Sequence, residues 1–396
     1  MTSADSIAAP KTGGIAQPIL AGILASVVGY ASSFPLVLAA FAAGGATPGQ
    51  AGAGLLVTTA AVGLLNLAIS WRSRMPLSFA WSTPGAAFLI TVGAPVGGYP
   101  ALIGALLTTA ALIVMAGLFR PVARAVAAIP PVIANAMLAG ILLTLCLAPL
   151  RAVEEMPLLA LPIILAWALG LKFARRYAVP MAVLVTIAIL PGTSHIAPGS
   201  FDAALALPQF VFPMFTLDAT IRIALPLFII TMASQNLPGL AVMQANGYVV
   251  RPAPPFIVSG LASAAAALFG GLTVNLAAIT AAICAGPEAH PDPGRRWIAS
   301  FSAGWTYLVL ALVAGYAAAF IAASPPVLIQ AVAGLALFAS LSGALANALG
   351  DEQQRLPAIL TFVTAASGIT ILGIGAAFWA LIGGIGLLLL LRQRVG

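Results

Sequence analysis

Apolar residues run along this chain in long blocks, each closed by proline, glycine or a short cluster of charge. The blocks fall at 15–43, 50–70, 78–95, 100–119, 125–147, 157–172, 177–191, 222–245, 254–270, 271–286, 298–322, 326–344, 357–374 and 375–391. A helix needs about 20 apolar residues to cross the hydrocarbon of a bilayer, so the pattern predicts an all-α integral membrane fold of about fourteen transmembrane helices. The widest polar interruption, from Pro191 to Asp218, contains the stretch F-V-F-P-M-F and separates two halves. The expected organisation is therefore 1–192 with helices one to seven, an extracellular or periplasmic linker at 193–221, and 222–396 with helices eight to fourteen.

Charge gives the orientation. With both termini cytoplasmic, the two ends and the even-numbered connections hold fourteen of the sixteen Lys and Arg residues, leaving only Arg151 and Arg222 outside. This is the bias of the positive-inside rule, and it predicts a multi-pass protein of the inner (plasma) membrane. The halves also resemble one another at an offset of about 195 residues. P-P-V-I-A-N-A from Pro130 is echoed by P-P-V-L-I-Q-A from Pro325, and A-S-S-F-P-L from Ala31 by A-S-Q-N-L-P from Ala233. Seven helices per half is an odd number, so the second copy enters from the opposite face. A 7+7 inverted repeat of this kind is a transporter signature.

Composition excludes other classes. The chain is 62% apolar and 6% charged, with mean hydropathy +1.11, whereas a soluble domain is roughly 25% charged. A pI near 10.0 would suggest nucleic acid in a soluble protein; here the positive residues sit in short loops and no nucleic-acid partner is expected. No small-residue cleavage pattern follows the first apolar run, so that helix is expected to stay. Cys146 and Cys284 lie within apolar segments and read as small core residues. Acidic side chains, His195 and His290 fall in loops, where both histidines are expected to be solvated, without metal-ligand spacing, and no H-E-x-x-H, Walker A or G-x-S-x-G pattern occurs. An enzyme, a cofactor and a metal are not expected.

The third and tenth segments carry the chemistry. Residues Met75 to Ser82 suit extended structure and could reach mid-bilayer from one face. Thr83-Pro84-Gly85 then offers an N-cap, Thr83, and a proline at the first helical position, opening a half-helix from Pro84 to Gly93. Gly270 to Asn275 enters from the other face, with Asn275 as the expected N-cap for Leu276 to Gly286. Two helix N-termini, each with unpaired N–H groups and partial positive charge, would face one another at mid-membrane, a setting for an anion or a polar ring. The competing picture is a pair of kinked helices whose polar groups bond to neighbours. Tyr30, Ser32 and Ser33 of the first helix, Gln235 and Asn236 of the eighth, Trp81 and Ser82 before the first half-helix, and Thr273 before Asn275 complete the candidate substrate-binding set. For the serines, hydrogen bonds between helices are the alternative; Trp81 suits stacking on an aromatic ligand or plain packing.

G-Y-A-S-S at Gly29 to Ser33, S-F-A-W-S-T-P-G-A-A at Ser78 to Ala87, I-P-P-V-I-A-N-A-M-L-A-G-I-L-L at Ile129 to Leu143 and S-Q-N-L-P-G at Ser234 to Gly239 resemble the BenE-type benzoate:proton symporter family over nearly the whole chain. That family is similar in architecture to the uracil and nucleobase transporters. The resemblance implies a core of helices 1–4 and 8–11, a gate of helices 5–7 and 12–14, and elevator-like movement of the core past the gate. Nucleobase carriers have acidic residues in the eighth and tenth segments, where this chain offers Gln235, Asn236 and Asn275. Amide donors and helix N-termini suit a substrate that brings its own negative charge. The implied activity is uptake of benzoate or a similar small aromatic carboxylate with protons across the lipid bilayer, with the proton possible on the substrate itself as the neutral acid and a homodimer left open. A nucleobase:proton symporter and a passive anion channel or facilitator are the alternatives.

Overall fold

The computed structural model describes residues 14–119, 121, 124, 130–189, 207–322, 324–371 and 374–392. The first half contains α1 (Ala16–Ala43), α2 (Pro48–Ser73), the short strand β1 (Phe79–Trp81), α3 (Thr83–Val92), α4 (Gly98–Leu118), α5 (Pro131–Cys146), α6 (Ala148–Glu155), α7 (Pro157–Phe173) and α8 (Ala178–Ile189). The second contains α9 (Leu217–Ala245), α10 (Ala253–Ala267), β2 (Val274–Leu276), α11 (Ile279–Ala285), α12 (Trp297–Leu312), α13 (Ala314–Ala322), α14 (Pro326–Leu349), α15 (Arg355–Ala366), the hairpin β3 (Thr370–Ile371) and β4 (Ile374–Gly375), and α16 (Ala376–Arg392).

Six helical stretches are long and apolar enough to cross a membrane: α1, α2, α4, Pro131–Glu155, α9 and α14. A seventh is the pair α12 and α13, bent by 53°. The other apolar helices among the described residues are shorter, so the blocks of apolar sequence do not all become full-length rods. The block at 357–374 shows why: α15 stops at Ala366, Gly368 takes φ +64, and the β-branched residues beyond it form the β3–β4 hairpin. Start signals elsewhere follow local rules. Thr47 and Gln50 form a reciprocal capping box ahead of α2, with Pro48 in the first turn.

The halves interlock. Helix α2 packs along α12, α4 along α10, and α5 along α14 and α15, so each of these pairs joins an early element to a late one. At the α2–α12 crossing, glycines let the backbones touch. A Cβ on Gly63 would lie 2.9 Å from the Gly304 carbonyl oxygen, and one on Gly304 would lie 2.8 Å from that of Gly63. We expect Gly304→Val to destabilise the protein by about 1–3 kcal/mol, the usual penalty for overpacking. A thermal melt in detergent checks this, and an unchanged melting temperature would mean the crossing can open freely.

Between α8 and α9, the end of the linker is tied down: Val211 donates its N–H to Leu268 and Met214 donates to Pro100. Helix α9 begins at Leu217, inside the stretch expected to be linker, and contains two π-turns, Thr220–Ala224 and Met232–Asn236. His290, expected in a solvated loop, is buried, with its Nδ1 accepting the Asp292 N–H; His195 lies outside the described residues.

The bonding pattern divides the molecule differently from the chain order. Among the described residues, no hydrogen bond or salt bridge joins 131–189 or 326–392 to 14–119 or 207–322. Those two bodies meet through side-chain packing, chiefly α1 on α14 and α3 and the second π-turn of α9 on α5.

Candidate functional site

Both broken segments are interrupted at the same place, where they pair. Strands β1 and β2 run antiparallel with Phe79 opposite Leu276, Ala80 opposite Asn275 and Trp81 opposite Val274. Flanking bonds from the Ser82 N–H to Thr273 and from the Ala277 N–H to Ser78 extend the ladder. A two-stranded ribbon has two open edges, and an open edge in lipid leaves backbone groups unsatisfied. Side chains from three helices close them. Asn66 on α2 accepts the Phe79 N–H and donates back to its carbonyl, both at 2.9 Å. Ser263 on α10 does the same for Val274, at 2.8 and 3.1 Å, and Asn236 on α9 accepts the Leu276 N–H at 2.9 Å. Thr58 on α2 takes the Leu272 N–H at 2.8 Å.

This geometry changes several expected roles. The N-cap of α3 is Ser82, not Thr83: the Ser82 Oγ accepts the Gly85 N–H at 3.1 Å and also the Thr231 hydroxyl at 3.1 Å. Thr83 is the half-buried first residue of the helix, with Pro84 behind it. Asn275 is not an N-cap. It sits in the middle of β2, because Asn236 and Ser263 hold the neighbouring backbone extended, and α11 starts only at Ile279 without a side-chain cap. Asn236 is fully buried and spends its oxygen on Leu276 and its amide on Met232 Sδ. Ser32 and Ser33 both donate to Gly29 on their own helix, and Ser33 in turn accepts the Trp81 indole N–H at 3.0 Å. Gln235 is half-buried and has no hydrogen bond among the described residues.

Alternation along the strands sorts the remaining side chains. Phe79 and Trp81 project to one face, where Trp81 meets the rings of Tyr30 at 5.8 Å and Tyr307 at 5.9 Å, edge to face; Tyr30 stacks on Phe34. Thr273 and Asn275 project to the other face. The expected set is therefore split by the ladder into an aromatic side and a polar side, and Trp81, 2% exposed, is packed rather than open.

Buried polar atoms without a hydrogen-bond partner mark what the protein leaves for something else to satisfy. Among the described residues there are six, and four belong here: Tyr30 Oη, Thr273 Oγ1, Asn275 Oδ1 and Thr280 Oγ1. The other two belong to the Asp218–Arg222 pair at the start of α9. Thr280 on α11 lies against Gly29, and neither it nor Tyr307 was singled out by sequence pattern. Asn275 donates its own amide to the Leu276 carbonyl at 2.7 Å, which fixes its oxygen as a free acceptor. Three hydroxyl groups that can donate and one oxygen that only accepts are thus left at the broken segments. No acidic side chain accompanies them among the described residues: Glu154, Glu155, Asp218, Glu288, Asp292, Asp351 and Glu352 all lie at helix ends or in loops.

Paired, interrupted segments held inside a helical bundle, with unsatisfied polar atoms at the break, define a membrane transporter. The similarity to solved structures is in keeping with this: the transmembrane domain of a cyanobacterial bicarbonate transporter, BicA, shares the fold at TM-score 0.55 and 19% identity, covering 93% of this chain and 98% of that one. SLC26A9 matches at TM-score 0.62 and 12% identity, over 96% of this chain and 66% of that one. Residues 15–390 match the family model described as benzoate membrane transport protein, and the chain belongs to that family, BenE, whose members are transporters rather than enzymes. It is 40% identical over 366 residues to the inner membrane protein YdcO of Escherichia coli, covering 92% of this chain and 93% of that protein. It is 32% identical over 327 residues to the benzoate membrane transport protein of Acinetobacter baylyi, covering 82% and 83%.

Proposed function

We propose that this protein imports benzoate, or a similar small aromatic carboxylate, together with a proton across the inner membrane by alternating access. The observation that carries this reading is the set of unpartnered buried oxygens at the break. A carboxylic acid group needs donors for its carbonyl oxygen and an acceptor for its O–H; the Thr273 hydroxyl and the Asn275 oxygen, two residues apart on one face of β2, offer one of each. The substrate would then cross as the neutral acid, carrying the coupled proton itself, with the N-terminus of α3 favouring any charge that develops. The absence of nearby carboxylates among the described residues supports an acid over a nucleobase, since a nucleobase carrier of the related families uses acidic partners.

The inverted 7+7 repeat, cytoplasmic termini and a core moving past a gate belong to the same proposal. In it the core comprises α1–α4 and α9–α13, the gate α5–α8 and α14–α16. The lack of hydrogen bonds among the described residues between 131–189 with 326–392 and 14–119 with 207–322 supports that movement, because packing contacts can be exchanged by sliding whereas each buried hydrogen bond would have to be broken.

Proteoliposome uptake tests the reading. Labelled benzoate is expected to enter saturably and faster under an inward proton gradient. Entry that ignores the gradient rejects coupling, ohmic current points to a channel, and competition by uracil but not by benzoate selects a nucleobase carrier.

A further inference from the structure

The second π-turn of α9 has two sides. Asn236 reaches β2, which ties the turn to the paired strands, while Ala233 and Ser234 face α5. Between them and Ala134, Asn135 and Leu138 of α5 lies a small, partly open cleft. Asn135 is the one polar side chain between Pro131 and Leu143. It is half-buried, and it spends one amide hydrogen on the Pro131 carbonyl at 2.7 Å; Ser234 donates to Ile230. Both bonds stay within the residue's own helix. They leave the second Asn135 amide hydrogen, its oxygen and the Ser234 lone pairs turned to the cleft. An open carboxamide in an otherwise apolar helix of a membrane bundle calls for a polar occupant, since lipid cannot satisfy it. The other seam between the two bodies, where α1 meets α14, holds a comparably small cleft lined by apolar residues, among them Phe34, Pro35, Ile329 and Val332, with Thr186 the one polar residue among the described lining. Of these two clefts, the one between α5 and α9 is the more polar. A π-turn, costly in itself, commonly persists at functional positions.

We propose that Asn135 and Ser234 form a gate-side subsite that receives a polar substituent, a ring hydroxyl above all, of an aromatic acid whose carboxyl group is held at the strand pair. This rests on the aromatic-acid reading above and names the residues that set selectivity within that class. Asn135 has both a donor and an acceptor free, which matches a phenolic hydroxyl and mismatches a methyl or halogen. A substrate spanning from β2 to α5 would also touch both bodies at once.

The test is competition of labelled benzoate uptake in proteoliposomes by 3- and 4-hydroxybenzoate and by the corresponding toluic acids. The wild type is expected to prefer at least one hydroxybenzoate over its methyl analogue. Asn135→Leu is expected to shift that preference toward the methyl analogue at least about tenfold, or about 1.4 kcal/mol, since leaving one buried polar group unsatisfied costs on that scale. Where Asn135→Leu fails to fold, Asn135→Cys serves instead: its reaction with a maleimide should be slowed by saturating hydroxybenzoate. An unshifted preference, a wild type that rejects every hydroxybenzoate, or an unprotected cysteine overturns the subsite while leaving benzoate transport standing. A wild type that carries no aromatic acid at all overturns the underlying reading instead.

Discussion

Asn66→Ala is expected to leave little folded protein. The substitution removes both bonds to Phe79 and strands a buried backbone N–H and carbonyl at the strand edge, each orphan costing about 1–3 kcal/mol. The sum, about 2–6 kcal/mol, is a large part of the roughly 5–15 kcal/mol that holds a typical domain folded. Asn66→Asp, which keeps only the acceptor, should fall between the alanine variant and the wild type. Size-exclusion profile and melting temperature in detergent are the measurements, and an alanine variant that elutes and melts like the wild type would show that the edge is held by something else.

Asn275→Ala should do the opposite, sparing the fold and removing transport. Its oxygen has no partner inside the protein, so truncation forfeits only the 2.7 Å bond to Leu276 in the empty state. In the loaded state it would leave the acid O–H without its acceptor, at a cost of about 1–3 kcal/mol, or about 5- to 150-fold in kcat/KM at roughly 1.4 kcal/mol per decade. Gln235→Ala, at a half-buried position within the second π-turn of α9, should act in the same direction. Uptake at wild-type affinity in both variants, with normal melting, would place the substrate elsewhere.

Sequence pattern alone carried the membrane class and the two interruptions, because apolar block length and the S-T-P-G and G-G-L-T-V-N punctuation are local signals. It did not carry the strand pairing, since β1 and β2 lie almost two hundred positions apart and nothing local brings them together. The cap moved from Thr83 to Ser82 for a tertiary reason, the Thr231 hydroxyl that also holds Ser82. Asn275 lost its capping role in the same way, to Asn236 and Ser263. Asn66 could have been found: a lone asparagine in the apolar run 50–70 is a polar group in lipid, and such a group needs a partner. Tyr307 and Thr280 gave no such warning, because one tyrosine or threonine among apolar neighbours is ordinary.

Under the proposed movement of core past gate, the lack of hydrogen bonds among the described residues along the boundary of the two bodies has a consequence for how far they would be displaced. Directional contacts would define one preferred offset and a barrier set by their rupture; shape alone defines neither. In the proposed core movement, where the bodies come to rest would then be decided by bulk, by Phe34, Phe320, Ile329 and Val332 lining the cleft where α1 meets α14, so trimming those side chains is expected to change the length of the stroke before it changes what is carried.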